Sequence, residues 1–168
     1  MATTIYSDWG GHNVKLTWLP GTDSPDPALV TSVHGVCMDQ GKIMLVHVTG
    51  RGFNLPGGHV EDGESPEETV TRECMEEGYV RCEDLRLIGA IQVSHEENLR
   101  FDPNGKYPLI GYQLFYRADV TACLPYLQEH ECTARIWVEP ELAAYVMEDH
   151  NLAYLIVEEA VRQANAET

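Results

Sequence analysis

Positive charge is scarce in this chain. Its 168 residues carry 11 Lys plus Arg against 27 Asp plus Glu, a formal net charge of −16. Duplex nucleic acid is held largely through Lys and Arg on its phosphates, so the deficit argues against a duplex-binding protein. Long apolar runs are missing as well. None approaches the ~20 residues of a membrane-spanning helix, and no membrane partner is expected. Met1 to Gly10 has no basic stretch followed by an apolar one and does not read as a signal peptide, so a cytoplasmic location is expected. Paired cysteines are absent too. Cys37, Cys74, Cys82, Cys123 and Cys132 are odd in number and form no C-x-x-C pair, which fits neither a disulfide framework nor a zinc knuckle. Reduced thiols are the expectation. Cys74 lies among carboxylates, which suppress its thiolate, so it reads as a core residue rather than a nucleophile. There is no internal repeat and no low-complexity tract.

What is present suffices for one domain, residues 1–168. The hydrophobic fraction is 43%, near the globular norm, and a domain of ~150 residues buries about 70% of its unfolded surface. Alternating or β-rich runs predict strands over residues 13–19, 30–38, 42–48, 85–93, 109–120 and 135–138. Asp39-Gln40-Gly41 predicts a hairpin between the second and third of these. Residues 20–27 and 95–108 read as loops, the second long and mobile. Ser65 as N-cap, Pro66 at the first helical position and Glu68 as the partner of a capping box predict a helix over 65–77, with Gly78 as its stop. Residues 141–147 and 152–163 read as further helices, and 164–168 as a frayed tail. Strands interleaved with helices imply an α/β fold, a mixed sheet with helices on its faces.

The chemistry concentrates between Gly57 and Glu77. Residues three and four apart share a helix face, so Glu73, Glu76 and Glu77 are neighbours there and Val70 and Cys74 take a flank that can meet a core. Adjacent carboxylates repel, and a hard divalent cation such as Mg²⁺ or Mn²⁺ relieves that cost. Arg72 stands four residues before Glu76 and four after Glu68, placed to hold a carboxylate in one orientation. Gly57 and Gly58, ahead of the helix, allow backbone to approach a ligand closely. A glycine loop facing a carboxylate cluster suits metal-assisted phosphoryl chemistry.

At these residues the chain resembles the Nudix (MutT-like) hydrolases. The family box is G-x5-E-x7-R-E-U-x-E-E-x-G-U, with U a bulky aliphatic residue. Gly58, Glu64, Arg72, Glu73, Glu76 and Glu77 stand at the matching places and Val80 closes the 23-residue signature. Two positions depart. Cys74 replaces an aliphatic residue. Tyr79 stands where the box has Gly, with Gly78 one residue early, which predicts that the chain leaves the helix at Gly78.

The resemblance implies a Nudix-type α/β/α sandwich. Glu73, Glu76 and Glu77 would ligate metal, joined by the Gly58 carbonyl, while Glu64 and Arg72 orient the set and Glu73 serves as base. Glu131 is a candidate for a further ligand or base. Phe53 and Tyr112, with Phe115 and Trp137, are candidates for stacking on a nucleotide base, though each also suits a core. His59 reads as a surface histidine. The implied reaction is hydrolysis of a phosphoanhydride in a nucleoside diphosphate-linked substrate. A nucleoside triphosphate, an oxidised purine nucleotide or a 5′-triphosphate end is expected. ADP-ribose or dinucleoside polyphosphate hydrolysis, or a ligand sensor without turnover, are the alternatives.

Overall fold

The computed structural model describes residues 2–148 and 151–168. Nine strands and three helices follow in the order β1 (Thr3–Trp9), β2 (His12–Pro20), β3 (Val30–Asp39), β4 (Lys42–Val48), β5 (Gly52–Asn54), β6 (Gly57–His59), α1 (Pro66–Gly78), β7 (Val80–Ser94), β8 (Ile110–Cys123), β9 (Cys132–Val138), α2 (Pro140–Val146) and α3 (Ala153–Ala166). The strands join in the order β1-β2-β7-β8-β3-β4-β5, with β6 on β3 and β9 on β4. Among the strand pairs of the described residues β3 and β8 run parallel and the others antiparallel, with one further parallel bridge between Phe53 and Met147. The sheet is therefore mixed, as expected.

Period-two alternation sends side chains to two cores, one on each face of the sheet. Along β4, Ile43 and Leu45 enter a core built with Leu152, Ile156 and Ala160 around α3, whereas Met44 and Val46 enter a second core with Val70 and Cys74 of α1. The result is the expected α/β/α layering. Cys74 is fully buried, in keeping with a packing role. The β3–β4 hairpin turns through Gln40 (φ 50°) and Gly41 (φ 76°). Two consecutive positive φ values give the primed turn that matches strand twist.

The structure corrects several expectations. Strand β1 was not anticipated: only Ile5 and Ser7 are even half-buried, so it carries no strong apolar alternation, and its pairing with β2 creates it. Strand β7 begins at Val80 rather than at residue 85, because its exposed first half follows β8 through irregular register. The chain does not turn out of the helix at Gly78. Gly78 is helical, and Tyr79 takes the left-handed turn at φ 52°, ψ 43°, its N–H bonding back to Cys74 and Met75 carbonyls. Tyr79 tolerates this region because its ring is fixed. The hydroxyl accepts the Glu129 N–H at 2.8 Å, and the ring stands edge-on to Tyr126, centroids 4.9 Å apart. Gly78 serves packing instead, since a Cβ there would run into the Met44 methyl. At the C-terminus α3 continues to Ala166, and Glu167 pairs with Arg86 and with buried Arg117. The loop over 95–108 is tied by turn bonds from the amides of Asn98, Phe101 and Gly105 to the carbonyls of His95, Asn98 and Asp102. Among the described residues no helix is long and apolar enough to cross a membrane.

Candidate active site

Helix α1 begins as its capping residues dictate. The Ser65 hydroxyl accepts the Glu68 N–H at 3.1 Å, and Pro66 occupies the first turn. This fixes which face carries Glu73 and Glu76. Arg72 organises the acids around it. Its Nε and one terminal nitrogen bind both oxygens of Glu64 at 2.8 and 3.0 Å; the other terminal nitrogen reaches Glu73 at 2.9 Å and Glu76 at 3.3 Å. A planar guanidinium can clamp several carboxylates in fixed directions, which a lysine cannot. Glu64 is further tied to the Glu61 N–H and the Thr69 hydroxyl. With these partners, Arg72 first, its pKa falls to about 2, so it stays ionised.

The other acids behave differently. Burial raises the pKa of Glu73, against the opposing pull of Arg72. Glu77 is nearly buried and is raised further, to about 7, chiefly by desolvation. One Glu77 oxygen accepts the Gly57 N–H at 2.8 Å and the other the Cys132 thiol at 3.0 Å. Glu77 thus braces the glycine strand β6 against the end of α1. Gly58 lies directly under Glu73, and a Cβ at position 58 would collide with the Glu73 carboxylate. Glu76 is the most exposed of the three helix acids bound to Arg72 or β6, its side chain 40% exposed. The helix C-terminus is capped from outside the helix: Arg135 of β9 donates to the carbonyls of Gly78 and Leu124, both at 2.9 Å.

Beside this face, reached across His59, lies a cavity of about 350 Å³. Its lining combines aromatic groups (Trp9, Phe101, Tyr107) with cationic or titratable ones (His12, His95, Arg100, Lys106). Asn98 orders it. The Arg100 N–H donates to the Asn98 carbonyl oxygen at 3.0 Å, which fixes the amide orientation. The Asn98 amino group then donates to Nδ1 of both His12 and His95, each at 3.0 Å, leaving their protons on Nε2. Burial, then the neighbouring His12, lowers the His95 pKa, in keeping with a neutral ring. His95 stacks on Phe101 at 5.3 Å.

The structure thus brings Gly58, Glu64, Arg72, Glu73, Glu76 and Glu77 together. It does not bring the suggested base-contacting residues to the cavity. Phe53 packs against the α3-side core, edge-on to His47, and Tyr112 accepts a bond from Gln92 on the α1 side of the sheet. Glu131 is exposed, next to Cys132, and its charge raises the pKa of Glu77. Phe115 is buried core and Trp137 half-buried against the α1-side core. His59 is exposed as expected, yet it also lines the cavity and its carbonyl accepts from Arg72 at 3.3 Å. Sequence reasoning missed the cavity because its lining is gathered mainly from β1, β2 and the 95–108 loop, with parts of β3, β6, β7 and β8. Its one signal was the aromatic and basic content of a loop in an acidic chain.

The family model described as NUDIX domain matches residues 27–157. The chain belongs to the NUDIX family. One relative is the Bacillus subtilis (strain 168) protein YtkD, whose name proposes an 8-oxo-dGTP diphosphatase. It is 32% identical over 96 residues, 56% of this chain and 58% of that protein, so the match spans little more than half of the relative's length. Among solved Nudix structures, a variant of the Bacillus subtilis pyrophosphohydrolase BsRppH aligns with a TM-score of 0.66 at 22% identity, covering 89% of this chain and 92% of that one. The NUDIX domain of Shewanella oneidensis NrtR, solved with ADP ribose, aligns at 0.60 and 19% identity, covering 83% and 94%. At these identities the structures establish the Nudix fold. Nudix proteins generally use divalent cations, and the donors gathered here suit one: carboxylate and carbonyl oxygens are the preferred partners of a hard cation.

Proposed function

We propose that this Nudix chain hydrolyses a phosphoanhydride bond of a nucleoside triphosphate or a 5′-triphosphate end, an oxidised purine nucleotide included. The observation that carries the reading is the junction of two unlike surfaces at β6. Glu73 sits over Gly58, and one residue further His59 lines a cavity of a size that takes a small ligand. A phosphate chain laid along β6 would meet the acids of α1 at one end while its nucleoside enters the aromatic cavity. The name of YtkD supports the purine triphosphate class.

Glu73, Glu76 and Glu77, with the Gly58 carbonyl, would hold Mg²⁺ or Mn²⁺. When bound, the cation polarises the phosphoryl oxygens and offsets the negative charge that builds on them. The protein's own groups do the rest. Arg72 and Glu64 hold Glu73 and Glu76 in position. Glu73, its pKa raised by burial, accepts the proton of the attacking water. Glu77 keeps β6 against the helix, so that glycine backbone rather than side chain faces the phosphates. Trp9, Phe101 or Tyr107 offer faces for stacking, and the Nε2–H groups of His12 and His95 offer donors to a base edge.

Comparison of kcat/KM for dGTP, 8-oxo-dGTP, a 5′-triphosphorylated oligoribonucleotide, ADP-ribose and a diadenosine polyphosphate tests this, with Mg²⁺ and Mn²⁺ in turn. A triphosphate is expected to lead. ADP-ribose turned over at least about tenfold better than any triphosphate would overturn the substrate class, and binding without turnover of any compound would overturn the hydrolase reading.

A further inference from the structure

Three of the five cysteines, carried by three different elements, meet inside the protein. Cys37 of β3 and Cys74 of α1 have their sulfurs 3.2 Å apart, and Cys82 of β7 is 3.8 Å from Cys37. All three ligand atoms lie within 4.8 Å of one another. The fold makes room for them in two ways. Gly35, one turn of the pleat before Cys37, leaves the space that sulfur fills, since a Cβ there would stand 2.9 Å from Cys74 Sγ and 3.4 Å from Cys37 Sγ. Strand β8 runs between Cys37 and Cys82, and its residue opposite Cys37 is the small Ala118, so the two thiols lean toward each other over it.

We infer that Cys37, Cys74 and Cys82 form a binding site for a thiophilic divalent cation of the zinc class, separate from the carboxylate site. Sulfurs sharing an ion at the Zn–S distance of ~2.3 Å stand roughly 3.8–4.0 Å apart; Cys37 and Cys82 are already 3.8 Å apart, and the 3.2 Å between Cys37 and Cys74 would open slightly. A disulfide uses the cluster less well. Cys37 and Cys82 lie on strands with a third between them, about 9.6 Å apart at two strand spacings, beyond the ~7 Å that a disulfide spans without backbone movement. A Cys37–Cys74 disulfide would leave the third thiol unused, whereas one ion takes all three. On binding, each thiol gives up its proton as its sulfur lone pair becomes a bond to the ion: Zn²⁺ and three thiols yield a trithiolate complex and three protons. Cys37 and Cys74 are fully buried, and partly exposed Cys82 supplies the way in and a side open to a water as fourth ligand. The occupied site would tie α1 to β3 and β7 directly behind Glu73 and Glu76. This inference does not depend on the hydrolase reading.

The test uses the full, reduced chain without oxygen, in saturating Mg²⁺ to occupy the carboxylates. Cd²⁺ is titrated in, and the ultraviolet thiolate-to-cadmium charge-transfer band reports sulfur ligation. The band is expected to saturate at one ion per chain and to be displaced by Zn²⁺, and the bound ion is expected to protect partly exposed Cys82 from alkylation. Cys82→Ala, at the partly exposed corner, should weaken binding at least about tenfold with the circular dichroism unchanged, and Cys37→Ser should do the same. Cys123→Ser, at an exposed position outside the cluster, should bind as the parent does. No band, alkylation of Cys82 that is the same with and without Cd²⁺, or a band that titrates in Cys82→Ala at the parent's Cd²⁺ concentration would each overturn the site.

Discussion

The two walls of the candidate site are built in opposite ways. The wall on α1 and β6 comes from one continuous stretch, Gly57 to Glu77, and is acidic: Arg72 alone faces Glu61, Glu64, Glu73 and Glu76. The cavity wall is gathered mainly from β1, β2 and the 95–108 loop, with parts of β3, β6, β7 and β8, and it carries aromatic and basic groups in a chain of net charge −16. A short-range wall can be held rigid by helix geometry and one guanidinium. A long-range wall needs the whole sheet to place it, and Asn98 to align it. In the proposed reading the first does the chemistry, which is common to many substrates, and the second chooses among them. That division is open to attack from either side.

The largest effect should come from the acidic wall. Glu76→Gln is expected to lower kcat by at least about a hundredfold, more than the 10–100-fold typical of groups that only orient metal ligands. The fold should survive, because the Glu76 side chain is 40% exposed and carries no packing role. Kinetics in saturating Mg²⁺, with circular dichroism alongside, decide it. Near-parental turnover would remove Glu76 from the machinery.

The same wall should also show itself in metal-free stability. The folded-state pKa of Glu77 is about 7, raised from 4.5 mainly by burial. Between those values the folded chain holds a proton that the unfolded chain has lost. Its contribution is therefore full below pH 4.5 and declines as the pH rises through 7. Glu77→Gln keeps an acceptor for the Gly57 N–H and, through its amino group, a partner for Cys132. Thermal melts in EDTA from pH 4.5 to 8 should show the variant with a flatter profile and a higher Tm at neutral pH, while activity is lost. An unchanged slope would mean that Glu77 stays ionised.

How far each wall was legible in the sequence follows from its range. Ser65, Pro66 and the three-and-four spacing of the acids are local signals, and from them Glu73, Glu76 and Glu77 read as neighbours on the helix with Arg72 one turn before Glu76. The alternation of β4 and the Gln40-Gly41 turn were legible for the same reason. Tyr79 was not, because the bonds that hold it left-handed come from Glu129 and Tyr126, about fifty residues away. Phe53 and Tyr112 looked fit to stack on a base, but pleat parity and neighbours direct them into the cores. Cys132 and Arg135, which hold Glu77 and the end of α1, come from a strand whose only sequence signal was β propensity. The thiol cluster depends on the order of strands in the sheet, which spacing along the chain does not encode.

A smaller change should come from the cavity wall and appear in binding rather than in chemistry. Asn98 is 6% exposed and serves two histidine nitrogens and the Arg100 amide at once. Removing a buried hydrogen-bonding group leaves its partners unsatisfied at ~1–3 kcal/mol, so Asn98→Ala is expected to raise KM about tenfold with kcat nearly kept. The parent's own KM should rise on acidification, since a protonated His95 presents a donor to the Asn98 amino group. A loss of kcat with unchanged KM would place Asn98 in the chemistry and erase the distinction between the walls.

The smallest effect is expected at Gly78, where two local costs oppose each other. If the helix ended there with positive φ, Gly78→Ala would be strained by ~1–2 kcal/mol. Instead Gly78 is helical, and alanine is favoured over glycine inside a helix by ~0.5–1 kcal/mol. Against this, the new methyl meets the end of the Met44 side chain. Overfilling a core commonly costs ~1–3 kcal/mol, but the unbranched thioether has the rotational freedom to move aside, which puts the cost at the low end. The two contributions should nearly cancel, leaving stability within about 1 kcal/mol of the parent and activity unchanged, as measured by denaturant melts and the triphosphate assay. Tyr79, whose carbonyl and hydroxyl are both bonded, would keep the left-handed turn. A loss above ~2 kcal/mol would mean that Met44 is rigidly held, and a parallel loss of activity would show that its displacement reaches Glu77 at the end of the acidic wall.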